Sequence, residues 1–470
     1  FWLKHQPLRL RASCTGTMGS CCSVKGTSRT SDRHVIICRA EQRASPESLA
    51  ILEKAEHADA AILDSPKHRS KRVVQAPWDQ ACATEEAGGA EGLPHLLPKK
   101  DVAILPAQEQ EWQSMRGDEL EEPLLNGAWA LIDAHWLIAH AAKPGARFLP
   151  RQQLPPEAFM TLPELKTIGF PRKAIALIVL SYPWLTAEHP DPEGHSLRLL
   201  GKVLASYVDQ PSCGTSAHPS TKWSCGEQRW AVFIDFLSLH QHQPQKCRSP
   251  SEDRLFKLGL SAVNRLYAHQ YTRVFRLTKI PPEFPNARPY NGRGWCFAET
   301  AWAHLTKSGR KCIDLGKYSG SKVHWLDIVA ECISDLGRPP PLLPDDFNRA
   351  LEERRFTNGK TDMELVKDMY VVEFDRRFRE AFGLIYHNLG WEDAQLQALL
   401  KVLPICEELE TLNLNGNRFA DLDPLVQQLR HGIMPSLKTL ELVGSVDQSN
   451  SAGVEGLQEV CAHRGIQLLL

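Results

Sequence analysis

Four polar strings that follow stretches of apolar residues hold the side chains that could do chemistry in this chain of 470 residues. Ser181 and Tyr182 open the first string, Asp235 opens the second, Glu299 ends the third and Asp314 lies in the fourth. A carboxylate in a cleft can stabilise positive charge that develops on a reacting molecule. Asp235 and Glu299 are therefore the acidic candidates for ligand binding or catalysis.

Aromatic residues accompany these acids. Tyr182, Trp184 and Trp295 could stack on a planar ligand ring, although tryptophan is more often part of a hydrophobic core. The acids also have structural alternatives. Glu299 near the start of a helix favours the helix dipole, and Asp235 could accept hydrogen bonds from neighbouring backbone N–H groups. The sequence leaves both interpretations open.

Four apolar stretches must position these strings. They lie at 175–180, 231–236, 272–277 and 312–315. Continuous apolar runs are typical of strands buried on both faces, and each run is followed by apolar residues at helical spacing. The alternation predicts a parallel sheet with helices on both faces, a flavodoxin-like α/β fold. Tyr182, Asp235 and Glu299 are then expected along one rim, where the strands end.

Two glycines, Gly292 and Gly294, precede the helix that is predicted to carry Glu299. A helix N-terminus can bind a phosphate group through its free N–H groups. The string is neither a P-loop nor a dinucleotide fingerprint, so turn formation is the favoured interpretation of these glycines.

The order of three motifs resembles the TIR (Toll/interleukin-receptor) family. The motifs are Ser181-Tyr182, Asp235 and Trp295-Cys296-Phe297-Ala298-Glu299, within about 174–336. In TIR enzymes the glutamate of Trp-Cys-x-x-Glu is needed to cleave the nicotinamide–ribose bond of NAD. The resemblance therefore implies Glu299 as the catalytic residue and NAD as a substrate.

The same resemblance implies a ligand-binding set around Glu299. The implied residues are Ser181, Tyr182, Trp184, Asp235 and Trp295. Two features depart from the family: the loop after Asp235 lacks the usual glycine, and residues 210–228 form an insertion. The strings around Tyr182, His189, Asp235 and Trp295 also resemble a family of algal and dinoflagellate proteins without an assigned activity.

A 28-residue repeat ends the chain. Leu409-x-x-Leu412-x-Leu414-x-x-Asn417 recurs as Leu437-x-x-Leu440-x-Leu442, and a weaker copy begins at Leu384. This period resembles leucine-rich repeats of the ribonuclease-inhibitor class and predicts a short α/β solenoid. Three units are the minimum that buries a solenoid core, so the array is expected to lean on the α/β domain. Three unrelated β-α units are the alternative.

The N-terminal region carries a lipidation pattern. Met18 is followed by Gly19, Cys21 and Cys22, which fits N-myristoylation of Gly19 with palmitoylation of the two cysteines. Two lipids would hold the chain stably on a membrane. We expect translation to start at Met18, with residues 1–17 as upstream sequence; an internal Met18 and a chance match are the alternative.

These observations predict six segments. They are upstream sequence at 1–17, a lipid-anchor motif with a disordered tether at 18–120, a helical lead-in at 121–170, a TIR-like domain at 171–344, a helical connector at 345–380 and leucine-rich repeats at 381–470.

Composition narrows the functional classes. The net charge of -1 gives no support for a nucleic-acid partner. The 13 cysteines show no disulfide framework, which favours a reducing, cytoplasmic location, and no spacing favours a metal. No cofactor is required.

We expect a signalling or recognition protein on the cytoplasmic face of a membrane, with other proteins or its own copies as partners. The alternatives are an NAD glycohydrolase and a nucleotide sensor without turnover.

Overall fold

The computed structural model describes residues 102–470, apart from 170–173, 209–228, 244–246, 285–286, 308–310, 334–337, 357–358 and 447–450. All of these described residues belong to the compact unit Ile62–Leu470. The lipidation pattern at Gly19, Cys21 and Cys22 and the insertion at 210–228 lie outside the described residues.

The first sheet confirms the α/β class. Its strands are β1 (Leu131–Asp133), β2 (Phe159–Met160), β3 (Leu177–Ser181), β4 (Ala231–Phe233), β5 (Arg273–Arg276) and β6 (Cys312–Asp314). Their order across the sheet is β2-β1-β4-β3-β5-β6. The four predicted strands are β3 to β6, and they pair with one another in parallel. Every residue of β3 is buried, as expected for a strand covered on both faces.

The segment before β3 corrects one prediction. The lead-in at 121–170 is not only helical, because β1 pairs antiparallel with β4 and β2 pairs antiparallel with β1. One helix of this lead-in begins at Ala134, where Asp133 caps its N-terminus by accepting a hydrogen bond from the His135 N–H group. Leu131 and Ile132 are fully buried. A short apolar run does not distinguish strand from helix by periodicity alone.

Helices surround this sheet. They are α1 (Pro106–Ser114), α2 (Glu121–Leu125), α3 (Ala134–Ala141), α4 (Leu162–Thr167), α5 (His195–Val208), α6 (Asp235–Ser238), α7 (Pro250–Ser261), α8 (Val263–Ala268), α9 (Gly294–Thr306) and α10 (Trp325–Cys332). Helix α5 contacts α3 and α10, whereas α9 contacts α8, so the helices form two sets. Among the described residues the first helix begins at Pro106, within the segment predicted to be a disordered tether up to residue 120.

The connector consists of two helices, α11 (Pro344–Glu352) and α12 (Lys360–Arg379), which confirms its helical character. The rings of Phe347 and Tyr370 stack with their centroids 3.6 Å apart. Buried Arg377 pairs with Glu373 and with Glu119, which precedes α2. The connector is therefore fixed against the α/β domain by apolar and ionic contacts.

A second sheet of four parallel strands ends the chain. Its strands are β7 (Gly383–Ile385), β8 (Thr411–Asn413), β9 (Thr439–Glu441) and β10 (Gln467–Leu469), and its helices are α13 (Asp393–Leu400), α14 (Asp423–Arg430) and α15 (Ser451–Arg464). Leu384 pairs in register with Leu412, and Leu412 with Leu440. The 28-residue period is thus a structural period, and β10 extends it by a strand that the sequence analysis did not predict.

Asn417 links two of these repeat units. Its side-chain nitrogen donates to the carbonyl groups of Tyr386 and Leu414, and its side-chain oxygen accepts from the N–H groups of Leu389 and Trp391. Tyr386 in turn donates to the Leu305 carbonyl of α9. As expected, the repeats lean on the α/β domain. Across the described residues, no helix has both the length and the apolar character needed to cross a membrane.

Candidate functional site at the carboxyl edge of the parallel sheet

Strand β3 and helix α9 bring Ser181 and Glu299 together. Ser181 is the last residue of β3, and its hydroxyl group donates a hydrogen bond of 2.5 Å to the Oε2 atom of Glu299. Ser181 is fully buried, whereas Glu299 retains partial exposure. The Glu299 carboxyl group thus lies against the sheet edge while its residue still reaches solvent.

The second carboxylate, Asp235, lies at the end of the neighbouring strand. Its Oδ1 atom accepts a 2.6 Å hydrogen bond from the Tyr182 hydroxyl group and another from the Phe236 N–H group. Its Oδ2 atom accepts from Trp184 Nε1 at 3.2 Å. Three donors point at one carboxylate, which is the pattern of an ionised acceptor.

The electrostatics of the two acids are coupled. Burial raises the pKa of Glu299 to about 8; the negative charge of Asp235 adds to that rise and the Ser181 hydrogen bond opposes it. Burial also raises the pKa of Asp235, while its hydrogen bonds from Tyr182, Phe236 and Trp184 oppose the rise. Perturbed carboxylates at a sheet edge are typical of functional sites.

A series of hydrogen-bonded hydroxyl groups lies beyond Ser181, the residue that donates to Glu299. The Tyr290 hydroxyl group lies 2.5 Å from Ser181 Oγ and 3.0 Å from Thr300 Oγ1. Tyr290 is buried, and burial raises the pKa of its hydroxyl group well above its ordinary value. Sequence analysis did not single out Tyr290 or Thr300, because 109 residues separate Tyr290 from Ser181 and no local pattern links them.

The predicted rim is confirmed for Ser181, Tyr182, Asp235 and Glu299. Tyr182, however, is not available as a stacking surface. It is 5% exposed, its ring packs edge-on against Phe148 and its hydroxyl group is bound to Asp235. Its role in this structure is to orient Asp235.

The two tryptophans of the predicted set differ in their surroundings. Trp184 remains partly exposed beside Asp235, where it could contact a ligand. Trp295 is directed to the connector instead: its Nε1 atom donates to Asp362 Oδ2 at 2.9 Å and its ring packs against Phe356. The structure thus shows Trp295 as a packing contact of the connector, and its placement beside a ligand stays a prediction.

The connector also occupies the start of α9. The Gly294 N–H group donates to the Arg355 carbonyl at 3.0 Å, and a β-carbon at Gly294 would lie 2.2 Å from the Phe356 ring. This N-terminus is therefore not open to a phosphate group. Glycine is required at residue 294 because the connector packs directly on the backbone.

Two further observations bear on identity. Within the part of the chain that the structure describes, no group of three or more His, Cys, Asp or Glu residues is arranged to hold a metal ion. No protein-family model matches the chain, and no curated protein or solved structure is significantly similar to it.

Proposed function

We propose that this chain is a TIR-like protein whose α/β domain cleaves the nicotinamide–ribose bond of NAD, with Glu299 as the residue that stabilises the developing charge. The observation that carries the proposal is Glu299, a partly exposed residue whose carboxyl group accepts from Ser181 and has its pKa raised by burial and by the charge of Asp235. The strand order β4-β3-β5-β6 supports a flavodoxin-like core, in which ligands bind at the carboxyl edge.

The chemistry follows from the bond that breaks. Its electron pair leaves with the nicotinamide nitrogen, and positive charge develops on the ribose. Water then adds its hydroxyl group to the ribose carbon and releases a proton, so that the products are nicotinamide, ADP-ribose and a proton. An ionised Glu299 stabilises the charged ribose. The cationic nicotinamide ring of the bound substrate lowers the pKa of Glu299 and so favours this ionised form.

Nicotinamide release by the full chain tests this function. We expect the wild-type protein to release nicotinamide from NAD and Glu299→Gln to lose at least about 100-fold of that activity, as for loss of a charge-stabilising group. Exposed Glu193 supplies the matched control, and Glu193→Gln should retain full activity. If the wild-type protein releases no nicotinamide even at high protein concentration, the hydrolase function is excluded.

Binding without turnover is a distinct outcome of that experiment. A rise in melting temperature with NAD, but without product, would indicate a nucleotide sensor.

The repeats favour a second function, recognition of other proteins or of further copies of this chain. The observation behind it is the parallel sheet whose strands recur every 28 residues, since such arrays present a continuous binding surface. With lipids on Gly19, Cys21 and Cys22 this recognition would take place on the cytoplasmic face of a membrane. Membrane fractionation of the chain translated from Met18, and of its Gly19→Ala variant, tests the anchor. Equal distribution of the two proteins would exclude it.

A further inference from the structure

The carboxyl edge of the parallel sheet holds one partly buried basic residue, Arg276, which forms no direct ion pair within the described residues. Of the four parallel strands, β3 ends in Ser181, β4 in Phe233, β5 in Arg276 and β6 in Asp314. Arg276 is the only basic residue among these strand ends. It pairs in register with Ser181 on one side and with Asp314 on the other.

The register also fixes the direction of the Arg276 side chain. Residues that are paired in neighbouring parallel strands direct their side chains to the same face of a sheet. Ser181 directs its hydroxyl group toward Glu299 of α9. The Arg276 side chain therefore leaves the sheet on the α9 face, one strand away from the Ser181–Glu299 pair.

The Arg276 guanidinium group lacks an ionic partner. Within the described residues no carboxylate forms an ion pair with it, and its buried Nε atom has no hydrogen-bond partner. The acid paired with it in register, Asp314, attracts Arg276 without contacting it, and its Oδ1 atom accepts from the Thr278 hydroxyl group and from the Gly316 N–H group. This attraction helps to offset the burial of the Arg276 cation, and an anion in direct contact with the guanidinium group would add to it.

A second unpaired guanidinium group strengthens the positive field on this face. Arg338 is 3% exposed and donates from Nη1 to the His304 carbonyl of α9, and among the described residues its Nε and Nη2 atoms have no hydrogen-bond partner. Its plane lies over the Tyr386 ring, which compensates part of its charge. The α9 face thus combines two arginines with incomplete hydrogen bonding.

We propose that Arg276 binds a phosphate group of the ligand whose ribose lies at Glu299, with Arg338 adding positive charge behind it. A guanidinium group matches phosphate geometry through two parallel N–H bonds. The start of α9 is occupied by the connector and offers no alternative phosphate site. Neighbouring strands lie about 5 Å apart, so a ribose and its 5′-phosphate fit between the ends of β3 and β5. The identity of the ligand as NAD rests on the proposed function; the phosphate site does not.

Thermal shift and calorimetry on the full chain test the phosphate site. The probes are inorganic phosphate, ADP-ribose and adenosine, which carry one phosphate, two phosphates and none. We expect ADP-ribose to stabilise the wild-type protein most, inorganic phosphate to stabilise it weakly and adenosine to bind at least tenfold more weakly than ADP-ribose. A response to inorganic phosphate alone assigns a free-anion site rather than a nucleotide site.

Variants identify the residue. Arg276→Met should weaken ADP-ribose binding at least tenfold, and Arg276→Lys should restore part of it because the charge returns without the second N–H bond. Exposed Arg430, which pairs with Glu459 in the repeats, supplies the control Arg430→Met. Equal ADP-ribose affinity in the wild-type protein, Arg276→Met and Arg276→Lys would overturn the proposal, even if one variant proved unstable.

The two proposals fail separately. If phosphate or ADP-ribose binding depends on Arg276 but no nicotinamide is released, the phosphate site is supported and the hydrolase function is excluded. If nicotinamide is released and Arg276→Met has an unchanged KM for NAD, the hydrolase function is supported and the phosphate site is excluded.

Discussion

The Ser181 hydroxyl group donates a 2.5 Å hydrogen bond to the Glu299 carboxyl group across 118 residues of sequence. This contact joins the end of β3 to the first half of α9. It leaves Glu299 partly exposed, in surroundings that raise its pKa to about 8 through burial and through the charge of Asp235. Glu299 is consequently protonated in most molecules at neutral pH, before any ligand binds.

The first prediction concerns stability and pH in Glu299→Gln. The pKa of Glu299 rises from 4.5 to about 8 on folding, so the folded chain holds this proton more tightly than the unfolded chain. The stabilising effect is complete below about pH 4.5 and is lost as pH rises toward 8. Glutamine remains neutral and escapes this loss. Urea unfolding at pH 9 should show Glu299→Gln to be more stable than the wild-type protein by about 4–5 kcal/mol.

At pH 5 the two proteins should have similar stability, because the wild-type carboxyl group is then protonated in the folded state. Exposed Glu193 provides the control: Glu193→Gln should follow the wild-type protein at both pH values. A Glu299→Gln protein that is less stable than wild type at pH 9 would contradict a raised pKa.

The second prediction is that Ser181→Ala raises the pKa of Glu299 further. The Ser181 hydroxyl group favours the ionised form of Glu299 by donating to it, and removing such a donor shifts a carboxyl pKa by roughly one unit. Carbon-13 NMR of labelled glutamate, with Glu299→Gln used to assign the resonance, measures the shift. Ser206→Ala is the control, because the Ser206 hydroxyl group bonds only to the Lys202 carbonyl on α5. An unchanged or lower pKa in Ser181→Ala would exclude this role.

The third prediction concerns NAD cleavage and rests on the hydrolase function. Glu299 must be ionised to stabilise the charged ribose, and kcat/KM reports the ionisation of the free enzyme. We therefore expect kcat/KM for NAD to rise with pH and to level off above about pH 8. A decline of kcat/KM through the same range would show that the protonated form acts, and would assign Glu299 as a general acid instead.

The fourth prediction tests the contact between the connector and α9. Gly294→Ala places a methyl group 2.2 Å from the Phe356 ring, so one of the two must move. Overpacking of this kind costs about 1–3 kcal/mol, measured by urea unfolding. Phe356→Leu tests whether the Phe356 ring causes this loss. The double variant Gly294→Ala, Phe356→Leu should lose less free energy of unfolding than the sum of the losses in the two single variants. Strict additivity would show that the two residues do not interact.

The fifth prediction concerns Asn417 in the repeats. The Asn417 side chain satisfies four backbone groups, and it is 3% exposed. Asn417→Ala removes all four hydrogen bonds, and only the Leu414 carbonyl keeps another donor, the Ser445 hydroxyl group. The change should therefore lower the free energy of unfolding by about 3 kcal/mol. Gln427→Ala, at an exposed position of α14, should change stability by less than about 0.5 kcal/mol. Similar losses in both variants would contradict a linking role for Asn417.

Several parts of the architecture were accessible from local patterns. Apolar runs located β3, β4, β5 and β6, because strands that are covered on both faces exclude polar side chains. The leucines at 28-residue intervals located β7, β8 and β9, because each unit must present the same face to its neighbours. Both signals reside within short stretches of chain.

Other parts were not accessible from local patterns. The short run Leu131–Asp133 joins the sheet through hydrogen bonds to β4. Because β4 lies about 100 residues away in sequence, no local pattern could reveal this pairing. The side chain of Trp295 is adjacent in sequence to the proposed site, yet its indole N–H group bonds Asp362 in the connector. Tyr290 supports Ser181 although no periodicity connects them.

The amino-acid sequence by itself determined strands β3 to β9 and placed Ser181, Asp235 and Glu299 at or after the ends of β3, β4 and β5, because burial periodicity is a property of neighbouring residues. Tertiary structure decided which of those side chains meet, how far the pKa of Glu299 rises and that Arg276 forms no direct ion pair among the described residues. These properties depend on desolvation and on charges contributed by distant segments, and both arise only when the chain has folded.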